Sequence, residues 1–165
     1  MRQVILGMGS NKSYNGKKSV ELLRSACEKL SEILDSPVFS SVYISKPMYV
    51  TCQDDFYNMA ASGFVSDDET PEVFLDKIHK IENEFGRDRS KEIRNGPRPL
   101  DIDIEFFGEI SVNSEILQIP HPRIKERAFV LIPVLEILKK SADEQLWKKL
   151  NSYLENLPDQ GVHRL

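Results

Sequence analysis

Two aspartates separated by one residue, Asp101 and Asp103, lie in the stretch Gly96-Pro97-Arg98-Pro99-Leu100-Asp101-Ile102-Asp103-Ile104. Side chains alternate between the faces of a strand, so in an extended segment the two acids share one face while Ile102 and Ile104 share the other. Carboxylates held that close in an apolar setting repel each other, and a divalent cation removes the repulsion. Oxygen-only ligands at this spacing suit magnesium, which keeps part of its water and takes the rest of its shell from substrate phosphates. Asp101 and Asp103 are the expected metal ligands. Glu105 falls on the same face, either as a solvated acid at the strand end or as a group holding metal-bound water.

The segment preceding the acids, Arg87 to Arg98, holds five basic and two acidic residues. Arginine forks match phosphate oxygens bidentately, so a cationic loop leading into a carboxylate pair fits a phosphate–metal complex. Residues 87–95 carry one large apolar side chain, Ile93, too little to offset the roughly 1–2 kcal/mol of backbone entropy lost per ordered residue. They are expected to form a lid, bracketed by Gly86 and Gly96, that orders when its ligands bind. A second cationic patch surrounds His121, which stands between Pro120 and Pro122 on a stiff loop beside Arg123 and Arg127. The run from Gly9-Ser10-Asn11 to Gly16-Lys17-Lys18 lacks the spacing of a phosphate-binding P-loop, and no GxGxxG occurs. A nucleotide must therefore be held by side chains and metal.

The elements that position these groups can be read from periodicity. Residues 3–8 form an apolar run, and Val20, Leu23, Cys27, Leu30 and Leu34 recur at helical spacing across 17–35. Val38 to Ser45 reads as a strand, Lys46 to Asp55 as a loop, and Phe56 to Val65 as a strand. Thr70-Pro71 opens a helix that Gly86 closes. Leu100 to Phe107 is a strand, with Gly108-Glu109 turning it toward a short partner at Ile110 to Val112. From about Glu126 the chain is mostly helical, with Trp147 and Leu150 in its core. Strand, helix, strand, strand, helix, strand is the split βαβ pattern. The expected fold is α+β: a ferredoxin-like antiparallel sheet covered by helices, with a C-terminal helical addition.

The chain has 165 residues, 40% hydrophobic and 29% charged, with a formal net charge of −4. That length suits one domain spanning 1–165. The acidic balance argues against nucleic acid as a partner. No apolar run approaches the roughly 20 residues that cross a bilayer, and Met1 to Gly7 does not resemble a signal peptide. Cys27 and Cys52 form no CxxC pair and are read as buried or half-buried bystanders in a reducing cytoplasm.

Several motifs occur in order: Gly9-Ser10-Asn11, Asp55-Phe56-Tyr57-Asn58, Gly86-Arg87-x-Arg89, Gly96-Pro97-Arg98-x-Leu100-Asp101-Ile102-Asp103, and Ile119-Pro120-His121-x5-Arg127-x-Phe129. Together, over residues 4 to 135, they resemble the 6-hydroxymethyl-7,8-dihydropterin pyrophosphokinases of folate biosynthesis. The resemblance implies a magnesium-dependent diphosphokinase that moves the β,γ-pyrophosphate of ATP to the hydroxymethyl oxygen of the pterin and releases AMP. It implies two magnesium ions on Asp101 and Asp103, with Arg87 and Arg98 on the transferring phosphates. Glu82, Arg89, Arg98, Ile104, His121 and Arg127 would surround the nucleotide. Phe56 and Phe129 would sandwich the pterin, Asn58 would read its edge, and Ser45, Pro47 and Met48 would line the pocket. ATP and the pterin alcohol are the implied small-molecule partners, and other folate-pathway enzymes are the implied protein partners.

This chain departs from the family pattern at His79, where glutamine can stand, at Asn95, where tryptophan can stand, at Pro122, where an aromatic can stand, and at Glu105, where an apolar residue is usual. Two other readings stay open from the residues alone: a non-catalytic ferredoxin-like module that stacks RNA bases, and a magnesium-dependent transferase with a different acceptor.

Overall fold

The computed structural model describes residues 1–141 and 143–165. In chain order the elements are β1 (Arg2–Ser10), α1 (Ser19–Ser31), β2 (Asp35–Phe39), β3 (Tyr43–Ser45), β4 (Phe56–Val65), α2 (Pro71–Glu84), β5 (Asp101–Phe107), β6 (Val112–Asn113), β7 (Gln118–Ile119), α3 (Ala128–Ser141), α4 (Glu144–Glu155) and β8 (His163–Arg164). Among the described residues no helix is long and apolar enough to cross a membrane. Cys27 is half-buried and Cys52 is exposed; neither is paired.

The sheet is antiparallel, ordered β5-β1-β4-β3-β8, with β2 also paired to β4. Alternation along the central strands builds two cores. Val4, Leu6, Met8, Met59, Ala61, Ile102 and Ile104 face α1 and α2, where Leu23, Ala26, Leu30, Phe74, Ile78 and Ile81 meet them. Ile5, Ala60 and Phe106 face the other way, against Val130, Leu131, Val134 and Leu138 of α3 and Leu150 of α4. Trp147 packs against this second core, and its indole N–H donates to the Leu135 carbonyl at 3.1 Å. This is the expected α+β arrangement, with the C-terminal helices covering the sheet's second face.

Helix ends follow local chemistry. Thr70 Oγ1 accepts the Val73 N–H at 3.3 Å, which starts α2. Gly86, just past its end, has φ +83°, and a Cβ there would lie 2.2 Å from the Tyr14 ring. Only glycine fits both the angle and the space.

Three elements differ from expectation. The strand expected over 38–45 is broken into β2 and β3, because Ser40 Oγ takes the Ala60 N–H at 2.8 Å in place of a backbone carbonyl. Val112 pairs with Ile119 in a separate two-stranded ribbon, and only Ile110 bridges back to Phe107. The C-terminal segment adds a short strand, β8, on the edge of β3.

Candidate active site

Strand β1 runs between β4 and β5, and its glycines form the floor of the site. Gly9 stands opposite Asn58 on one side and Asp101 on the other; Gly7 stands opposite Ala60 and Asp103. Directly paired residues of an antiparallel sheet project to the same face. The register therefore sets Asn58 and the two aspartates on either side of a strip without side chains. The space over Gly7 is filled by Glu105: a Cβ there would sit 2.9 Å from Glu105 Oε1. Helix α3 packs on this face at Ile5, Ala60 and Phe106, and its first turn, at Phe129 and Val130, walls the site.

Above the strip opens a cleft. Ser45, Met48, Phe56, Asn58, Arg98, Asp101, Asp103, Arg127 and Phe129 all line it, so nine of the expected site residues converge. The loop between β3 and β4 contributes Lys46, Met48, Tyr49 and Gln53 to its wall, and not Pro47. Asn58 donates its amide to Ser45 Oγ at 2.8 Å and to the carbonyls of Phe56 and Tyr43 at 3.3 and 3.4 Å. That spends the nitrogen on protein and leaves Oδ1 beside Gly9 as an acceptor. A second recess, lined by Asp103, Ile104, the turn 114–118, His121 and Pro122, adjoins the cleft; Asp103 borders both. The Ile104 side chain packs in the first core, opposite the acids, as strand alternation requires.

Arg87 is 4% exposed and pairs with Asp101, with Glu82 at 2.7 Å and with Glu92 at 3.1 Å. Burial opposes its charge, but Asp101, Glu82 and Glu92 hold it above the usual arginine value. Burial pushes the Glu82 carboxyl up against the pull of Arg87. The short contact and the Ile102 N–H donated to Glu82 at 2.8 Å make the pair ionic. With Arg89 on its second oxygen, Glu82 is fully occupied by protein groups and acts as an anchor for the two arginines. Arg89 itself is 47% exposed.

Burial would raise Asp101, but Arg87 and then Arg98, at 3.3 Å, hold it low. Asp103 is raised, by burial and then by the charge of Asp101. Its side chain is 37% exposed, with Arg127 at 3.7 Å and His121 Nε2 at 3.8 Å. The Arg123 N–H donates to His121 Nδ1 at 3.2 Å, which leaves the ring proton on Nε2, toward Asp103. Burial and then Arg127 push His121 down to about 4, so the ring is neutral at physiological pH.

Glu105 is fully buried and neither carboxyl oxygen has a hydrogen-bond partner, which removes the reading of it as a solvated acid. Burial first, then Asp103, drives its pKa well above the usual glutamate value. The expected lid also needs revision at its first residue, because the ion pairs of Arg87 with Glu82 and Asp101 anchor it to α2 and β5. Beyond it Asp88 caps the Ser90 N–H at 3.1 Å, and Ile93 is exposed.

The carboxylate pair fits the expected cation. It is an all-oxygen donor set open to the cleft, in which the charge of one acid penalises ionisation of the other. Among the described residues no group of three or more His, Cys, Asp or Glu is placed to enclose a metal. Any ion here must complete its shell with water and ligand oxygens, as magnesium does.

Sequence reading assigned no role to Asn11, Gln53 or Tyr49. Asn11 donates to Gln53 Oε1 and to the Asp54 carbonyl, both at 3.0 Å, and accepts the Arg98 N–H at 3.0 Å. It thus ties the end of β1 to the loop between β3 and β4 and to the basic segment. Gln53 Nε2 donates to the Asn95 carbonyl at 2.9 Å. A polar residue directly after a glycine-containing strand was the one signal for Asn11; loop polarity alone does not single out the other two.

Residues 5–139 match the family model described as 7,8-dihydro-6-hydroxymethylpterin-pyrophosphokinase (HPPK). The chain is 35% identical over 137 residues to 2-amino-4-hydroxy-6-hydroxymethyldihydropteridine pyrophosphokinase of Aquifex aeolicus, covering 83% of this chain and 81% of that one. It is 37% identical over 159 residues to the folic acid synthesis protein fol1 of Pneumocystis carinii, covering 96% of this chain and 20% of the relative. This chain thus spans about a fifth of that longer relative. The fold is shared with the crystal structure of Plasmodium falciparum HPPK-DHPS with pteroate, at a TM-score of 0.66 and 13% identity, over 99% of this chain and 47% of that one.

Proposed function

Because this chain belongs to the 7,8-dihydro-6-hydroxymethylpterin-pyrophosphokinase family, we propose that it transfers pyrophosphate from ATP to the hydroxymethyl group of 6-hydroxymethyl-7,8-dihydropterin and releases AMP. The observation that carries the reading is the position of Asp103 at the junction of two recesses. One recess has the aromatic side chains and the amide acceptor that suit a flat heterocycle. The other has the neutral imidazole of His121, and Arg127, which lines the first recess beside Asp103, adds the cation that suits a polyphosphate.

In this reading Phe56 and Phe129 stack on the pterin and Asn58 Oδ1 accepts a hydrogen bond from its edge, with Ser45 fixing the amide. Asp101 and Asp103 would hold two magnesium ions, which would supply positive charge to offset the negative charge of the triphosphate. The hydroxymethyl oxygen attacks the β-phosphorus and loses its proton to water; the bond from the β-phosphorus to the α,β-bridging oxygen breaks, and that oxygen departs with AMP. Arg98 and Arg127 stabilise charge on the phosphoryl oxygens, and His121 donates from Nε2. Arg87, paired with Asp101, keeps that carboxylate ionised and in place. No side chain acts as nucleophile; the residues position and neutralise, which is what phosphoryl-type transfer asks of a protein.

We read residues 1–165 as one domain in the cytoplasm, working beside other folate-synthesis enzymes. Chromatography of nucleotides after incubation with ATP, magnesium and the pterin alcohol tests the activity. AMP equal to the pterin consumed supports it; ADP in that place overturns it.

A further inference from the structure

We propose that Tyr49 is a positioning residue: it fixes the Arg127 guanidinium and so links the loop that walls the acceptor cleft to the phosphate-facing cations. The inference deepens the pyrophosphokinase reading and rests on it. Tyr49 lies between β3 and β4, one residue beyond Met48, with 38% of its surface exposed. Its hydroxyl accepts from Arg127 Nε at 3.1 Å and donates to Glu126 Oε1 at 2.9 Å. Its ring centroid lies 4.7 Å from the guanidinium carbon of Arg123 and 5.5 Å from that of Arg127. The Phe129 ring takes the Arg127 guanidinium at 5.6 Å.

A free arginine side chain samples many rotamers and must lose that freedom to meet a phosphate. Here two aromatic rings and a bond to Nε remove most of it before any ligand arrives. The bond to Nε spends the inner edge of the guanidinium and leaves its outer nitrogens available, with Nη1 3.7 Å from Asp103. The same loop holds Lys46 and Met48 against the acceptor cleft and is tied through Gln53 to Asn95 and Asn11. Seating the acceptor against this loop therefore bears on the orientation of Arg127, and anion binding at Arg127 bears on the loop, so the coupling is reciprocal.

The test is a double-mutant cycle by titration calorimetry in magnesium, with an α,β-methylene analogue of ATP and the pterin alcohol as probes. Tyr49→Phe keeps the ring and removes only the hydroxyl. It is expected to weaken analogue binding roughly five- to tenfold, the size of one ordinary intramolecular hydrogen bond. Pterin affinity measured without nucleotide should stay within about twofold. In an Arg127→Ala background the same change should have no further effect, because the group it positions is gone. Unchanged analogue affinity in Tyr49→Phe, or an equal loss in both backgrounds, overturns the proposal. A parent that binds both probes while Tyr49→Phe behaves like it rejects this inference alone; a parent that binds neither rejects the pyrophosphokinase reading, and this inference with it.

Discussion

The Glu82 carboxylate and the Arg87 guanidinium meet at 2.7 Å with 0% and 4% of their side chains exposed. Because Glu82 also accepts the Ile102 N–H, the pair joins the end of α2 to the strand that carries Asp101 and Asp103. Glu82→Ala leaves the buried guanidinium with Asp101 and Glu92 but takes away the acceptor of the Ile102 N–H; it should cost roughly 1–3 kcal/mol, lowering the thermal midpoint by roughly 2–12 °C. Arg89→Ala, at an exposed partner of the same carboxylate, should cost under about 1 kcal/mol. Calorimetric midpoints that fail to separate the two variants would show that the buried pair is not what fixes the strand.

Asp101→Asn and Asp103→Asn should each lower turnover by roughly a hundredfold to a thousandfold or more at saturating magnesium, with the fold retained. Asp103→Asn should not lower the thermal midpoint, because it removes the acid that Asp101 repels. Circular dichroism and steady-state rates on the same samples check both parts. A variant that retains most of the parent's turnover would take its residue out of the metal site.

Glu105 makes stability fall as pH rises. Its pKa is raised in the fold, so the folded chain keeps a proton that the unfolded chain releases above about 4.5. Unfolding then releases a proton, and each pH unit above that point lowers stability by up to about 1.4 kcal/mol, until the folded group also ionises. Glu105→Gln lacks this contribution. Denaturant titrations in chelator from pH 5 to 8 should show the parent losing stability relative to the variant. Parallel curves would mean that the carboxyl finds a partner or reaches water.

Where both ends of an element carried local signals, the sequence reading and the structure agree. Phe56–Val65 is bounded as expected, and Thr70-Pro71 with Gly86 brackets α2 within a residue. The break at Ser40 was not legible, because a hydroxyl replacing one ladder bond leaves no periodic trace. Nor was β8, a two-residue strand that exists only through its pairing with Tyr43 and Ile44. In the site, alternation alone placed Asp101 and Asp103 on one face. It also placed Glu105 there, but whether that acid meets water depends on α3, which folds over the sheet from a distant part of the chain. The pairing of Arg87 with Glu82 and Asp101 depends on how α2 docks against β5, a contact that no local pattern encodes.

Phosphorus NMR of one mixture of the purified chain, ATP, magnesium and 6-hydroxymethyl-7,8-dihydropterin tests the central claim most directly, because it follows donor and acceptor together. The account predicts that the three ATP resonances give way to AMP and to a diphosphate ester whose phosphorus couples to the hydroxymethyl protons, with no change when the pterin or magnesium is left out. Formation of ADP and a pterin monophosphate, or loss of ATP at the same rate without the pterin, would contradict it.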